Sequence, residues 1–223
     1  MFKRNIQSSD YFLIIANLVP VIGVLAWGWS PTEVFIVYCL ETIIIGLLTL
    51  VKMIIVNIAR RQENRSAAGV RGTIPIIGLL LFFIFHYGMF VAVQMGIFFN
   101  VSGIASKSNI GFLSFIYKWP SLLSHDSFIM LMAFFFCYVL QMLVDFILNQ
   151  KYRSASLSGI MFAPYVRVFV QQFTVIFGSI FLSFGAGKIF IIIFAFIKIV
   201  FEVLLDFNKL YNRESFTKGF QSD

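Results

Sequence analysis

The sequence predicts an all-α, polytopic membrane protein, one integral domain over residues 1–223 with six transmembrane helices. Three observations carry that reading. Of the 223 residues, 60% are hydrophobic and 12% are charged, where a soluble domain carries about 25% charged residues. The apolar residues gather into six runs, and roughly 20 helical residues cross the ~30 Å of hydrocarbon in a bilayer. The basic residues collect on alternate connections between those runs, the bias that sets the orientation of membrane helices. Mean hydropathy is +0.91, and no hydrophilic stretch is long enough for a second core. Strand-like alternation is absent, which argues against a barrel.

The first run, Tyr11–Trp27, follows Lys3 and Arg4. It is too long for a signal peptide, and Ala26-Trp27-Gly28 is a poor cleavage site, so it reads as a retained span. WGWSPTE (27–33) is a tight connection, with Ser30 suited to a helix cap, Pro31 to a first turn and both tryptophans to an interfacial belt. The second span is Thr32–Ile58 and the third Ile74–Val101. Both exceed the minimum, which predicts tilt or a protruding end. The stretch between them, ARRQENRSAAGVRG, reads as a polar, basic, mobile loop.

The connection Ser102–Asp126 contains NIGFLSFIYKWPSLL, too apolar for a loop and too short to span. It predicts an interfacial helix with Tyr117 and Trp119 at headgroup level. His125-Asp126 reads as a solvated helix start, with Asp126 and Ser127 as capping residues. The fourth, fifth and sixth spans are Phe128–Leu148, Pro164–Phe184 and Ile189–Phe207, and the tail from Asn208 is polar and frays.

With the N-terminus cytoplasmic, the inner segments hold Lys3, Arg4, Arg60, Arg61, Arg65, Arg71, Lys151, Arg153, Lys209, Arg213 and Lys218, and the outer ones only Lys107, Lys118 and Lys188. That asymmetry predicts a multi-pass protein of the plasma (inner) membrane with both termini in the cytoplasm. It also accounts for the net charge of +7 through anionic inner-leaflet lipid. Membrane lipid is thus the expected partner. A nucleic-acid partner for RRQENR (60–65) is not expected. Cys39 and Cys137 lie within spans and too far apart for a metal motif. No structural disulfide, metal or cofactor is expected. Gly-x-x-x-Gly is absent from the spans, which leaves self-association open.

Ionisable side chains inside spans are costly and normally face protein or water. Six stand out: Glu41, His86, Asp145, Arg167, Lys198 and Glu202. Tyr138, Gln141, Asp145 and Asn149 form one helical stripe, and Arg167, Gln171, Thr174 and Gly178 form another. Antiparallel packing of these stripes predicts an Asp145–Arg167 ion pair continued by Gln141–Gln171, a structural brace or an inner gate. Lys198 and Glu202 share a helix face and predict local pairing. Glu41 and His86 fall at similar heights near the bilayer centre, estimated from the helical rise of about 1.5 Å. They predict a shared-proton site with Tyr38 and Gln94 as helpers, the alternative being a single histidine bonded to a neighbouring carbonyl in an aromatic core. VYCLE in the second span and CYVLQ in the fourth share a loose pattern that hints at related halves.

VYCLETIIIGLL and FFIFHYGMF resemble an uncharacterised family of bacterial polytopic membrane proteins, with Tyr38 and Glu41 in a Tyr-x-x-Glu pattern and His86, Tyr87 and Gly88 in a His-Tyr-Gly stretch. The resemblance covers the N-terminal half. It implies no activity, cofactor or substrate, and adds weight to Glu41 and His86. Phe82 and His86 also match the Phe-x-x-x-His element of intramembrane glutamate proteases. Thr42 follows Glu41 where that family has a second glutamate, and no second intramembrane histidine exists. A zinc enzyme would want three protein ligands, and Glu41 with His86 supply two.

The sequence therefore reads as a six-span bundle that binds or conducts protons or small cations through a midplane Glu–His site, rather than as an enzyme. The alternatives are a membrane enzyme acting on a lipid or isoprenoid headgroup, with Glu41 or His86 as acid–base, and a non-catalytic scaffold or accessory subunit.

Overall fold

A computed structural model describes residues 18–66, 76–101, 112–165, 168–169, 172, 181 and 184–204. Apart from 18–27, the predicted first span lies outside the described residues, as does most of the predicted fifth span and the tail from Asn208. Every regular element among the described residues is helical.

Residues 18–26 form α1, which ends at a reversal through Gly28 (φ +72°). The amides of Trp27 and Trp29 both return to the Gly23 carbonyl, at 3.1 and 3.0 Å. Gly23 is required there because the Trp29 indole lies on its Cα: a Cβ would sit 2.2 Å from the ring.

Helix α2, Pro31–Ser66, opens as its sequence predicts. Pro31 lacks the amide that a first turn leaves unbonded, Glu33 lies in the first turn, and Val34 N–H donates to Ser30 O at 3.1 Å. The helix does not stop at Ile58. It runs eight residues further into the predicted loop, because ARRQENRS contains neither glycine nor proline and is rich in good helix formers. At 36 residues it is about 54 Å long, well beyond the ~30 Å of a hydrocarbon core.

Helix α3 spans Ile76–Val101. A seven-residue helix, α4 (Phe112–Lys118), and a 3₁₀ turn (Trp119–Leu122) then occupy part of the stretch predicted as an interfacial helix. Phe115 is buried under Phe99, with ring centroids 5.0 Å apart, while Tyr117 is exposed. Helix α5, His125–Gln141, is capped by Ser124 rather than by Asp126 or Ser127. Ser124 takes the extended conformation (φ −67°, ψ 166°) that lets its hydroxyl reach the Ser127 amide, and Asp126 falls in the first turn. His125 and Asp126 are exposed, as a solvated helix start requires.

The last two turns of the predicted fourth span, Met142–Leu148, are π-helical. The wider i→i+5 turn rotates the following residues relative to an α-helix. The chain reverses at Gln150 (φ +52°) into the single turn α6, Lys151–Ser154. Ser156 then caps α7 (157–165): its hydroxyl accepts the Gly159 amide at 2.9 Å and its carbonyl the Ile160 amide at 3.0 Å. The helix predicted to start at Pro164 thus begins seven residues earlier. Helix α8, Gly187–Leu204, follows a turn through Gly185 (φ +74°).

Three helical stretches are long and apolar enough to cross a membrane: Pro31–Arg60, Ile76–Asn100 and His125–Leu148. Lys188–Ile197 is a shorter apolar one. The six predicted spans are therefore represented by three among the described residues.

Helix α2 is the axis around which the others pack. Residues 34–42 are buried without a break, the condition of a helix that is apolar all round and enclosed. Ring pairs Phe35–Phe98 (4.1 Å) and contacts of Cys39 with Gln94 and of Thr42 with Tyr87 run in opposite numerical order, so α2 and α3 are antiparallel. Glu33–Ser127, Tyr38–Phe134, Glu41–Tyr138 and Lys52–Phe146 rise together, so α2 and α5 are parallel. Phe35–Phe190 and Tyr38–Phe194 give α8 the same sense as α2. The outer surface of α3 carries Ile77, Leu81, Phe85 and Val93, each more than half exposed.

Candidate functional site: a buried carboxyl and two tyrosine-bonded groups

Glu41 lies ten residues into α2, about 15 Å along its axis, and is 2% exposed. The Tyr138 hydroxyl, from α5, donates to its Oε1. Tyr138 is itself buried. Tyr38, one turn before Glu41, is fully buried and sets its ring edge-on to Phe194 at 4.5 Å and 6.0 Å from Phe134. The carboxyl thus stands in the seam of α2, α5 and α8. An isolated ionised carboxylate in such surroundings is expensive. A phenol donor serves both forms of the acid, since either the carboxylate or the carbonyl oxygen of the protonated group accepts it.

One residue further round α2, the chemistry changes. The Tyr87 hydroxyl donates to the Thr42 carbonyl at 2.8 Å, and the Thr42 hydroxyl bonds back to Tyr38 O at 3.1 Å. The Tyr87 ring fits because Gly46 has no side chain: a Cβ there would meet ring atoms at 2.5, 3.1 and 3.3 Å. Above it, Gln94 Nε2 approaches Cys39 Sγ at 3.8 Å, while Gln94 Oε1 is buried without a hydrogen bond. Gln94 therefore sits with Cys39 and not beside Glu41 as a helper.

His86 is not the partner of Glu41. Its Nδ1 faces Tyr165 Oη of α7 at 2.9 Å, and its ring stacks on Phe82 (5.1 Å, 18°) and meets Phe90 edge-on (5.2 Å, 88°). The predicted heights agree, because Tyr87, the next residue, meets Thr42, the residue after Glu41. The azimuths do not. The face of α3 turned to α2 is Phe83, Tyr87, Val91, Gln94 and Phe98, and one residue back from Tyr87 is about 100° round the helix. His86 is half-buried at the α7 edge, beside the exposed Phe82 and Phe85.

Asp145 sits in the π turn, half-buried, with no side-chain hydrogen bond or ion pair to a described residue. Arg167 and Gln171, its predicted brace, lie outside the described residues. The π turn also breaks the predicted stripe, since Tyr138 and Gln141 precede it and Asp145 lies within it. Lys198 and Glu202 are both helical in α8, and their side chains lie outside the described residues. No group of three metal-binding side chains occurs among the described residues.

Three contacts are not predicted by the sequence. Tyr138 belongs to a predicted polar stripe, and its partner is Glu41 of α2. Tyr165 follows Pro164 with no periodic signal of its own. At the start of α5, Glu33 Oε2 accepts the Ser124 amide and the Ser127 hydroxyl, each at 2.9 Å, tying the first turns of α2 and α5 together.

No curated protein and no solved structure matches the chain. Residues 1–218 match a family of unknown function, DUF6498, and the chain, with its three helices able to cross a membrane, belongs to that family.

Proposed function

We propose that this is a six-span protein of the plasma (inner) membrane, with both termini cytoplasmic, that binds and exchanges a proton at Glu41. The observation that carries the reading is a carboxyl group 2% exposed, ten residues into a helix of membrane-crossing length, that accepts a phenol from a neighbouring parallel helix. An ionisable group at that depth is a functional residue by default. Tyr138 supports both protonation states of the acid, so a proton can arrive and leave without breaking the pair. A small cation in place of the proton is the other form of the same reading. His86 with Tyr165 forms a second, separate acid–base pair.

The test is a pH-jump assay in proteoliposomes comparing wild type with Glu41→Gln, alongside labelling by a hydrophobic carbodiimide, which couples to protonated carboxyl groups in apolar surroundings. The reading expects flux that Glu41→Gln abolishes and labelling mapped to Glu41. Equal flux in both proteins, or labelling confined to other acids, overturns it.

One observation favours a second reading, a membrane enzyme acting on a lipid headgroup. His86 is half-buried, and among the described residues Tyr165 bonds one of its ring nitrogens, which is how an imidazole is oriented for acid–base work. Lipid turnover in detergent that His86→Gln abolishes and Glu41→Gln spares would select it.

A further inference from the structure

Four cations from two distant parts of the chain meet at the end of the bundle where α2 and the π turn finish. Lys52 and Arg60 lie on α2, two turns apart. Lys151 and Arg153 lie on α6, which packs against both α2 and the π turn. The Arg60 guanidinium donates from Nη2 to Ala155 O at 2.7 Å, which pins it to the residue that follows α6. Lys52 Nζ stands 5.6 Å from the centre of the Phe146 ring, that ring is 6.5 Å from Tyr152, and the Arg153 guanidinium carbon is 5.9 Å from the Tyr152 ring. Two cations therefore flank a pair of aromatic rings along one edge.

The backbone is bent to make this edge. Gln150 takes a left-handed conformation (φ +52°) that a side chain other than glycine adopts at a cost, and the reversal it allows sets α6 against α2. Arg153 is exposed, and Lys52, Arg60 and Lys151 are half-buried. Asp145 lies in the π turn, and α2 carries Glu63 three residues beyond Arg60, so the edge holds more cations than acids. Lys52 lies about 32 Å along α2 from Pro31 and Arg60 about 12 Å beyond it. Across a ~30 Å hydrocarbon core, that places Lys52 at the far boundary and Arg60 among the headgroups, where long basic side chains reach outward along apolar stems.

We infer that this edge is a binding site for a phosphate-bearing anion, the headgroup of an anionic phospholipid. Arginine matches phosphate with paired N–H donors, and lysine adds point charge. The site rests on the membrane reading above but not on proton exchange at Glu41.

The test follows thermal unfolding of the full chain in neutral detergent. Dioctanoyl-phosphatidylglycerol, dioctanoyl-phosphatidylcholine and inorganic phosphate are added separately. The glycerol lipid raises the unfolding temperature and the choline lipid does not. Each cation near a headgroup contributes about fivefold in affinity, so Lys151→Gln with Arg153→Gln weakens the glycerol lipid by roughly 25-fold. A shift with inorganic phosphate as large as with the lipid assigns the site to soluble phosphate compounds. A shift with lipid alone assigns it to the membrane. Equal shifts with both lipids, or a double variant that titrates like wild type, overturn the inference. Should the double variant not fold, wild type decides. Binding that does not weaken between about 0.1 M and about 1 M salt, where the screening length falls from about 10 to about 3 Å, also overturns it. Glu41→Gln binds the lipid as wild type does, so the two proposals fail separately.

Discussion

Adding one methyl group at Gly46 should destabilise the bundle, although alanine is the better helix former. The Cβ would lie 2.5 Å from Tyr87 Cε1 and 3.1 Å from Cδ1, so the ring must retreat by about 1 Å to regain ordinary carbon contact. It has little room to do so. Phe83 stacks on it at 4.9 Å, Tyr165 meets it edge-on at 5.8 Å, and its hydroxyl is held by Thr42 O at 2.8 Å. Overpacking a core costs about 1–3 kcal/mol, and the strained hydrogen bond about 1 kcal/mol more. The helix-propensity gain offsets about 1 kcal/mol. The net loss is about 1–3 kcal/mol, or about 3–10 °C for a chain of this size.

The assay is fluorescence-detected thermal unfolding of Gly46→Ala, Tyr87→Ala and the double variant in one detergent. Tyr87→Ala alone is costly, since it empties a large buried site. On that background the added methyl has open space, so Gly46→Ala becomes neutral or stabilising by up to ~1 kcal/mol. The coupling between the two sites is therefore at least ~1 kcal/mol, well above the ~0.5 kcal/mol expected of independent sites. A Gly46→Ala that raises the unfolding temperature in the wild-type background, or costs the same with and without Tyr87, refutes the close approach of α2 and α3.

Tyr138→Phe removes a buried donor from Glu41 and costs about 1–2 kcal/mol. Glu41→Gln keeps an acceptor in place and costs less, and unequal unfolding temperatures in that order check the pair. Ser127→Ala loses the hydroxyl bonded to Glu33 and costs about 1 kcal/mol, whereas Ser124→Ala keeps its amide on Glu33 but loses the helix cap and costs up to ~2 kcal/mol; a Ser127→Ala that unfolds at the wild-type temperature would sink the clamp between α2 and α5. The exposed Asp126 and Arg153 lie at the start of the stretch His125–Leu148 and five residues past its end. With Cys137→Ser removing the half-buried thiol, a membrane-impermeant maleimide added to intact cells labels D126C and spares R153C. Labelling of both variants, or of R153C alone, contradicts the crossing direction read from the basic residues.

What the sequence conveyed and what it withheld divide along the geometry of the helix. Apolar runs are set by composition, so the starts and ends of α3 and the position of α5 were legible within a few residues. Height was legible too, because 1.5 Å per residue is the same in every helix, and the Thr42–Tyr87 contact puts Glu41 and His86 at one level. Azimuth was not, since it depends on which face of each helix the neighbours take. Enclosure makes this worse for α2. Residues 34–42 are buried on all sides, so no polar face advertises the seam that Glu41 enters. The partner of a buried acid in such a helix belongs to whichever neighbour runs alongside it, and a parallel neighbour is separated from it in sequence by at least one helix of the opposite sense. Tyr138 lies 97 residues from Glu41, and the adjacent helix in the chain, where a partner was expected, contributes Tyr87 to the backbone instead. For a bundle with one enclosed helix, the candidates for pairing with its ionisable residue are the polar positions of the helices that run in the same sense, taken at equal distance from the same end. Counting from the starts of α2 and α5, Glu41 and Tyr138 stand 10 and 13 residues in, whereas His86 satisfies the height and fails the direction.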